Sequence, residues 1–350
     1  MKIGGYIRGW YEKNKRDLPW RQINDPYKIW LSEVILQQTR VNQGLNYYLN
    51  FIKTFPDVNS LARASEDEVL KLWQGLGYYS RAKNLHHAAR NVVEEMDGKM
   101  PRSYNGLLKL KGVGSYTASA IASICFDEPR AVVDGNVSRV IARLFGLDEP
   151  INSTQGNKII SSLADELLDR NNPGTHNQAM MEFGALQCVP VSPDCERCPL
   201  FDHCEARKSD RVDLLPVKIP KRKPVERWMY FYILLCNGET IFTKRGTEGI
   251  WKSLYQFPMM ESEVPLTDET ILGPMLAQLI EGAGQATILK ISDPFRHQLT
   301  HRTIYARFIH ANLESWPHRL PTGWMKIFRE RLDDFPVPRL INRYMEVVKF

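Results

Sequence analysis

The sequence lacks several features that would place it in other classes of protein. It has no run of about eighteen apolar residues, so a membrane-spanning helix is not expected. Its first residues, Met1-Lys2-Ile3-Gly4-Gly5-Tyr6, lack the apolar stretch and small-residue cleavage site of a secretory signal. It also has no internal repeat and no low-complexity tract. With 43% apolar and 25% charged residues, a soluble globular protein of the cytoplasm is predicted.

Charge and cysteine content narrow the choice further. The formal net charge of +6 permits attraction to a polyanion but does not require one. The chain has six cysteines, which a cytoplasmic protein would keep reduced. Four of them fall between Cys188 and Cys204, which indicates a metal or cluster site. The other two, Cys125 and Cys236, are predicted to be packed side chains.

The 350 residues exceed the usual span of one core, so more than one structural unit is expected. Residues 1–205 are predicted to be helical, because apolar residues recur there at helical spacing between Gly and Pro punctuation. Ser65 and Glu68 form a capping-box pattern at one helix start. The predicted helices include one apolar stretch over 29–48 and the segments 81–96, 117–125, 137–145, 157–169 and 176–185.

The composition of the chain changes after the cysteines. Residues 206–227 are basic and stiffened by proline, which predicts a linker, either a plain connector or one that also contacts a DNA phosphate. Residues 228–350 are predicted to form an α+β domain. Asn237-Gly238 indicates a hairpin between strands at 228–236 and 240–244. A further strand is predicted at 304–310, and a closing helix at 340–349.

The cysteine cluster has the spacing C-x6-C-x2-C-x5-C, formed by Cys188, Cys195, Cys198 and Cys204. Four thiolates suit either a [4Fe–4S] cluster or tetrahedral zinc. Zinc ribbons usually carry two C-x2-C knuckles, whereas this chain has one. The spacing therefore favours iron–sulfur and leaves zinc open.

A tight turn, Gly112-Val113-Gly114, joins two predicted helices. Glycines allow the backbone to approach a phosphate, and the following helix offers free N–H groups at its start. Such contacts position a protein on DNA without selecting bases. Taken alone, a G-x-G turn between helices is more often structural.

Two carboxylates are candidates for chemistry. Asp134 lies just before a predicted helix, whose dipole and free N–H groups favour the ionised form, although a plain N-cap would look the same. Glu33 has apolar neighbours in a predicted helix, so burial and a raised pKa are expected, as a proton donor needs. A surface glutamate is the alternative.

Together these motifs resemble a known family. The G-V-G turn, the V-D-G-N-V segment around Asp134 and the four cysteines occur in the order and spacing of the helix–hairpin–helix (endonuclease III) superfamily of DNA glycosylases. Within that superfamily, the segments 18–21, 32–40 and 75–81 closely resemble the adenine DNA glycosylase (MutY) family. The resemblance covers residues 10–204 and favours iron–sulfur over zinc.

The resemblance implies an all-α helix–hairpin–helix glycosylase domain with a [4Fe–4S] cluster loop, followed by an α+β Nudix-like domain. It implies hydrolysis of the N-glycosidic bond of adenine mispaired with 8-oxoguanine or guanine in duplex DNA. Glu33 would protonate the base and Asp134 would stabilise the sugar cation, with Tyr116 and Asn136 orienting Asp134 and water. Trp20, Arg21 and Gln178 would surround the adenine. The implied contacts to DNA or the lesion are Gln38, Thr39, Tyr78, Gly112, Gly114, Thr300 and His301.

One position separates subtypes of the superfamily. Glycosylases that also cleave the strand carry a lysine two residues after the G-V-G turn, where it forms a Schiff base. This chain has Tyr116 there, and Lys111 precedes the turn. A monofunctional glycosylase is therefore predicted.

The carboxy-terminal domain resembles the 8-oxoguanine-recognition domain of the same family, through residues 249–258 and 295–301. It has no acidic R-E-x-x-E-E segment, so Mg²⁺-dependent pyrophosphate cleavage is not expected. Leu299-Thr300-His301 stands where the family usually has Phe-Ser-His. Thr300 keeps the hydroxyl, but Leu299 leaves the wedge at that loop in doubt.

Other hypotheses remain at this point. The first alternative to an adenine glycosylase is another enzyme of the superfamily, a thymine or uracil mismatch glycosylase. The second is a DNA-damage-binding protein without activity. The third is a structural module stabilised by zinc. A monomer acting at the bacterial nucleoid is expected.

Overall fold

The computed structural model describes residues 2–220, 223–281 and 283–348. Contacts divide the chain into two compact units. The first holds the residues up to Arg63 together with Asn84–Pro220, and the second holds Ala64–Lys83 together with the described residues after Pro220. Lys221 and Arg222 of the predicted linker and Lys349 of the predicted closing helix lie outside the described residues.

The predicted all-α character of the amino-terminal part is confirmed. Helix α5 and the first residues of α6 belong to the second unit, and the remaining helices form the first unit, here called the helical unit. In chain order the helices are α1 Lys2–Asn14, α2 Pro26–Leu36, α3 Val41–Thr54, α4 Val58–Arg63, α5 Glu66–Leu72, α6 Ser80–Glu95, α7 Tyr104–Leu107, α8 Ser115–Phe126, α9 Gly135–Phe145, α10 Thr154–Leu167, α11 Pro173–Leu186 and α12 Glu205–Lys208.

Local chemistry explains where several helices begin. Ser65 and Glu68 form the predicted capping box at the start of α5. Asp25 accepts hydrogen bonds from two backbone N–H groups at the start of α2. The prediction of one apolar helical stretch over 29–48 was wrong in one respect. The chain leaves the helix after Leu36, Gln38 takes a left-handed φ of 57°, and α3 begins at Val41.

One apolar core cluster of the helical unit lies between α1, α9, α10 and α11. It contains Ile7 and Tyr11 of α1, Ile141 of α9, Ile160 of α10 and Phe183 of α11, each 3% exposed or less. Burial of such side chains stabilises each by about 1.5–3 kcal/mol relative to exposure. This core supports the start of α9 and the inner face of α11, which both carry predicted site residues.

Part of the predicted linker packs against the helical unit. Leu215 is 2% exposed, and its carbonyl accepts a hydrogen bond from Arg143 Nε at 3.0 Å. The carbonyl of Val217 accepts one from the backbone N–H of Ile151 at 3.0 Å. This stretch is therefore anchored, while the domain boundaries 1–205, 206–227 and 228–350 stay a prediction.

The second unit is built on a mixed sheet, as predicted for the α+β part. Its described strands are β1 Val225–Cys236, β2 Glu239–Lys244, β3 Tyr255–Gln256, β4 Met259–Ser262, β5 Ala286–Ile291, β6 Phe295–Gln298, β7 Arg302–Leu313 and β8 Trp324–Phe328. Strands β1 and β7 lie side by side and parallel, whereas the other described pairs are antiparallel. Its described helices after the sheet begins are α13 Asp268–Leu272, α14 Pro274–Leu279 and α15 Arg339–Val348.

The predicted hairpin is confirmed. Asn237 and Gly238 have φ of 51° and 80°, and Cys236 pairs with Glu239 directly across the two-residue turn. Two positive φ angles in succession are what the favoured hairpin turn requires. Cys236 is buried at 2% exposure, as expected of a packed side chain.

The sheet is covered on both faces. Leu340, Ile341 and Tyr344 of α15 belong to one apolar cluster with alternate residues of β1 and β7. Ile271 of α13 and Leu276 of α14 belong to the cluster formed by the other alternate residues. Both faces of the sheet are therefore packed within this unit.

Residues 64–83 pack with the second unit although they precede it by more than one hundred positions in sequence. Asp67 accepts hydrogen bonds from Lys244 Nζ at 2.7 Å and from the Tyr255 hydroxyl at 2.8 Å. The Tyr79 hydroxyl donates to the carbonyl of Val337 at 3.1 Å. No sequence pattern indicated this association.

Candidate active site

The helical unit contains a cavity of about 410 Å³. It lies against the end of the loop before α2, the inner face of α2, the start of α8, the start of α9 and the face of α11. Eight of the predicted site residues line it together: Trp20, Arg21, Glu33, Thr39, Tyr116, Asp134, Asn136 and Gln178. Folding therefore brings into one place residues that lie up to 158 positions apart (178 − 20).

Glu33 is the buried carboxyl group of α2. It is 8% exposed, so the predicted burial is confirmed. Burial raises the pKa of Glu33, the hydrogen bond from Tyr116 and the charge of Arg21 oppose that rise, and Asp134 adds to it. Glu33 thus favours the protonated form more than an exposed glutamate does.

Asp134 is the N-cap of α9. Its Oδ1 accepts the backbone N–H of Val137 at 2.7 Å, and its Oδ2 accepts Asn136 Nδ2 at 2.8 Å. These hydrogen bonds lower the pKa of Asp134, as the sequence predicted for a helix start, but burial outweighs them and the net shift is upward. The predicted effect of the helix start is therefore present at Asp134, and burial acts against it.

Tyr116 lies in the first turn of α8 and faces both carboxyl groups. Burial raises the pKa of its phenol well above the usual value, with Glu33 and Asp134 adding to the rise, so the hydroxyl stays protonated. The hydroxyl hydrogen-bonds Glu33 and lies 3.4 Å from Met181 Sδ. The resemblance places the lysine nucleophile of strand-cleaving glycosylases at this position, where this chain has Tyr116.

The start of α9 is tied to the cysteine loop through Arg139. Its guanidinium donates to Asn136 Oδ1 at 3.0 Å, to the carbonyl of Gly184 at 2.6 Å and to the carbonyl of Cys188 at 2.8 Å. Asn136 in turn donates to Asp134. A continuous set of hydrogen bonds therefore runs from Asp134 to the backbone of the first cysteine.

The four predicted ligands surround a smaller cavity of about 30 Å³ in the helical unit. Cys188, Cys195, Cys198 and Cys204 all line it, together with Arg143. Arg143 Nη1 lies 3.5 Å from Cys188 Sγ, which gives the thiolate a cationic neighbour. Among the described residues no three His, Cys, Asp or Glu side chains are placed to hold a single metal ion. Four thiols arranged around a common space, with a buried guanidinium beside them, fit an anionic iron–sulfur cluster.

Sequence analysis missed four residues that shape the larger cavity. Glu182, on α11, is 0% exposed and lines the cavity with Arg16, to which it is paired. Tyr11 hydrogen-bonds Gln178, and Arg139 holds Asn136. For Glu182 a signal existed, because Met180, Met181 and Phe183 flank it with the same apolar character that singled out Glu33.

The predicted DNA-contacting hairpin has the expected backbone. Gly112 has a φ of 81°, and a Cβ there would lie 2.6 Å from the Cβ of Asn84, so only glycine fits. A Cβ on Gly114 would meet nothing within 4 Å, which keeps the approach to the start of α8 open. No side chain of the described residues caps that helix start, so its first N–H groups remain available to an anion. Gln38 is exposed in the loop between α2 and α3.

Three predicted lesion contacts lie in the second unit. Tyr78 is 48% exposed, has a left-handed φ of 47°, and its hydroxyl lies 2.7 Å from Thr300 Oγ1. Thr300 and His301 are exposed at the turn between β6 and β7, which the backbone N–H of Leu299 closes by donating to the carbonyl of Arg302. Leu299 itself packs against the core of this unit, unlike an exposed wedge.

Comparisons with known families agree with this architecture. Residues 31–165 match the model of the HhH-GPD superfamily of base excision DNA repair proteins, and residues 188–204 match the iron–sulfur binding domain of endonuclease III. Residues 229–347 match the NUDIX domain. The fold and the four-thiol site thus define a base-excision DNA glycosylase that carries a [4Fe–4S] cluster, and the predicted fold class and cofactor are confirmed.

Relatives define the family more narrowly. Adenine DNA glycosylase of Buchnera aphidicola subsp. Schizaphis graminum is 30% identical, with 98% of this chain and 97% of that protein covered. Adenine DNA glycosylase of Homo sapiens is 46% identical over 58% of this chain and 39% of that protein. The chain belongs to the adenine DNA glycosylase family, as the resemblance predicted, and it is a DNA-binding enzyme.

Solved structures show the same fold. A thermostable thymine-DNA glycosylase is 30% identical and aligns with a TM-score of 0.55, covering 59% of this chain and 96% of that one. A trapped endonuclease III–DNA covalent intermediate is 20% identical and aligns with a TM-score of 0.52, covering 60% and 95%. Among the described residues every helix is too short or too polar to cross a bilayer.

Proposed function

We propose that this enzyme hydrolyses the N-glycosidic bond of adenine paired with 8-oxoguanine, or with guanine, in duplex DNA and does not itself cleave the strand. The observation that carries the proposal is the meeting of two carboxyl groups, buried Glu33 and half-buried Asp134, with Tyr116 in one cavity. Hydrolysis of a glycosidic bond uses one acid and one ionised stabiliser, and the cavity supplies a candidate for each.

The reaction begins outside the base stack. Adenine in a duplex hides its glycosidic bond, so the nucleotide must be extruded into the cavity. Glu33, whose protonated form is favoured by the rise that burial causes in its pKa, donates its proton to N7 of the adenine. The base then leaves as a neutral molecule, which lowers the barrier because little negative charge develops on it.

Asp134 acts on the sugar. Its two oxygens are fixed by Val137 and Asn136, so the carboxylate is held in one orientation for the oxocarbenium-like carbon. The positive charge that develops on the sugar favours the ionised form of Asp134 and opposes the effect of burial. Tyr116 and Asn136 orient Asp134 and the attacking water.

The absence of lyase activity follows from Tyr116. A Schiff base requires an amine at that position, and the phenol there remains neutral. The product is an intact strand with an abasic site.

The remaining predicted contacts place the enzyme on its substrate. Trp20, Arg21 and Gln178 surround the adenine, and Gly112 and Gly114 allow the hairpin to approach a phosphate. Gln38 and Tyr78 fill the space left by the extruded base, which offsets part of the few kcal/mol lost in unstacking. The groups assigned to 8-oxoguanine and its adjoining phosphate are Thr39, Thr300 and His301.

We propose further that residues 1–205 are the glycosylase domain, 206–227 the linker and 228–350 the 8-oxoguanine-recognition domain. The enzyme acts as a monomer on DNA of the bacterial nucleoid. The exposed hydroxyl pair of Tyr78 and Thr300 supports a recognition role for the second unit.

The test uses labelled duplexes that contain A·8-oxoguanine, A·guanine or T·guanine, with alkali added to half of each sample. We expect cleavage of the adenine strand only after alkali. Asp134→Asn should abolish it, whereas Asp127→Asn, an exposed aspartate of the same unit, should not.

Two results would contradict the proposal. Cleavage of the T·guanine duplex alone would indicate the activity named for the thymine-DNA glycosylase of similar fold. Cleavage without alkali would indicate lyase activity. Retention of an absorption band near 400 nm, typical of an iron–sulfur cluster, shows that each variant carries its cofactor.

A further inference from the structure

The carboxylate of Glu182 is buried in the wall of the base cavity, and two arginines occupy its acceptor positions. Its Oε1 accepts the backbone N–H of Arg16 at 3.0 Å and Arg16 Nε at 2.7 Å. Its Oε2 accepts Arg16 Nη2 at 2.7 Å and Arg21 Nη2 at 2.9 Å. A carboxylate offers about four acceptor positions, so Glu182 has none left for a base. Glu182 therefore acts by holding the two arginines in place.

Arg21 is fixed by this pairing but not satisfied by it. Its side chain is 11% exposed and lines the base cavity. Its Nε is buried and has no hydrogen-bond partner among the described residues. A buried donor without a partner is costly, and such groups are rare outside functional sites. Among the described residues the guanidinium of Arg21 donates one hydrogen bond, to Glu182, so its other N–H groups remain available where Arg21 lines the cavity.

Gln178 is fixed in a comparable way on the same side of the cavity. The hydroxyl of Tyr11 donates to Gln178 Oε1 at 3.0 Å. Tyr11 is 3% exposed, and its ring lies 5.9 Å below the guanidinium of Arg21. With the amide oxygen occupied, Gln178 presents its NH₂ group, a second donor, to the cavity.

We propose that Arg16, Glu182 and Tyr11 are positioning residues that hold Arg21 and Gln178 as two hydrogen-bond donors toward the extruded base. The cavity then selects a base whose ring nitrogens carry lone pairs. Neutral adenine has such nitrogens at N1, N3 and N7, whereas guanine and hypoxanthine carry a hydrogen on N1. The inference rests on the proposed function and deepens it, because a donor that meets N1 distinguishes adenine from guanine and hypoxanthine, whereas a donor that meets N3 does not.

The test combines a change in the protein with a change in the base. Duplexes carry adenine, 1-deazaadenine or 3-deazaadenine opposite 8-oxoguanine, because both analogues keep N7 for protonation and each lacks one acceptor. We expect the unmodified enzyme to release one analogue about 10-fold or more slowly in single turnover, as for the loss of a charge-assisted hydrogen bond. Glu182→Gln should slow adenine release by a similar factor and should not slow that analogue further.

Controls separate positioning from simple loss of structure. Glu166→Gln changes an exposed glutamate of α10 and should leave all three rates unchanged. Tyr11→Phe removes only the hydroxyl that holds Gln178. It should slow the release of adenine but should not further slow the release of the analogue that lacks the ring nitrogen to which Gln178 donates. If Glu182→Gln loses the absorption band of the cluster, the result with Tyr11→Phe tests the proposal instead.

Equal slowing of adenine and both analogues by Glu182→Gln and by Tyr11→Phe would overturn the inference, because a merely structural defect does not depend on one ring nitrogen. Rapid release of both analogues by the unmodified enzyme would also overturn it. No release of adenine by the unmodified enzyme would instead contradict the proposed function.

Discussion

At the scale of single residues, the cavity places three ionisable groups against one another. Glu33, Asp134 and Tyr116 are each removed from water, and burial is the largest influence on the pKa of each. Removal from water raises the pKa of an acid, since it disfavours the charged form. The local hydrogen bonds then distinguish the two carboxyl groups, because Asp134 accepts from two N–H donors and Glu33 accepts from a hydroxyl.

The first prediction concerns the pH dependence of base release. Glu33 must be protonated to act as the acid, so the single-turnover rate should fall as pH rises through its raised pKa. Asp134 must be ionised, so the rate should also fall at acidic pH, which gives a bell-shaped profile. Glu33→Gln should reduce the rate about 100-fold or more and remove the alkaline limb. A profile unchanged by that substitution would contradict the role of Glu33.

The second prediction concerns stability. A buried carboxyl group whose pKa is raised on folding opposes folding when ionised, so its cost is present at neutral pH and absent below the unfolded pKa. Glu33→Gln should therefore raise the melting temperature at neutral pH, at about 2–4 °C for each kcal/mol gained. The gain should disappear in acid. Glu166→Gln, on the surface, should change neither value, and a Glu33→Gln enzyme that melts lower at neutral pH would refute the argument.

At the scale of elements, α9 connects the candidate active site with the cluster loop. Asp134 caps its start, and Arg139 and Arg143 lie one turn apart on the face that meets the cysteines. Arg143 is 2% exposed and donates to the carbonyls of Val189, Pro190 and Leu215. The helix therefore connects the cysteine loop, at one face, with Asp134 at its start.

The third prediction tests this element. Arg143→Met keeps most of the aliphatic part of the side chain but leaves three carbonyls and the Cys188 sulfur without their donor. We expect the free energy of unfolding to fall by about 3–5 kcal/mol, as when one partner of a buried charged group is removed. The absorption band of the cluster near 400 nm should also be lost. Arg197→Met lies in the same cysteine loop with 88% of its side chain exposed and should retain the band. Equal cluster content in the two variants would argue against the role of Arg143.

Elements that depend on local chemistry were predictable from sequence, and those that depend on distant partners were not. The capping box at Ser65 and the turn at Asn237-Gly238 are set by adjacent residues, and both were confirmed. Strands β3 and β4 are only two and four residues long and exist because β2 and β1 pair with them. Too few residues alternate in them to give a pattern.

The same distinction holds within the site. Glu33, Asp134 and Tyr116 stand in recognisable motifs, so family resemblance alone was enough to nominate them. Glu182 stands in no motif, and its partner Arg16 is 166 positions away in sequence. Pairs of that kind are created by packing, in this case of α1 and its following loop against α11, and one sequence carries no direct record of them.

At the scale of the whole molecule, compact units and sequence families divide the chain differently. The superfamily model runs without interruption over residues 31–165, yet residues 64–83 make their compact contacts with the second unit. Asp67, Lys83 and Tyr79 each hydrogen-bond residues after Pro220. A segment inside the superfamily match therefore packs with the carboxy-terminal part.

The fourth prediction tests whether the order of residues 64–83 depends on that packing. A chain truncated after Pro220 should keep the cluster band, because the cysteine loop and Arg143 remain, but residues 64–83 should exchange amide hydrogens faster than in the full chain. Tyr255→Phe in the full chain removes only one hydroxyl from Asp67 and should have a much smaller effect. Since Tyr78 lies in this segment and Thr300 is deleted with the carboxy-terminal part, the truncated enzyme should also lose preference for A·8-oxoguanine over A·guanine. Unchanged exchange with lost preference would assign discrimination to Thr300 and its turn, whereas unchanged preference would show that the helical unit recognises the lesion by itself.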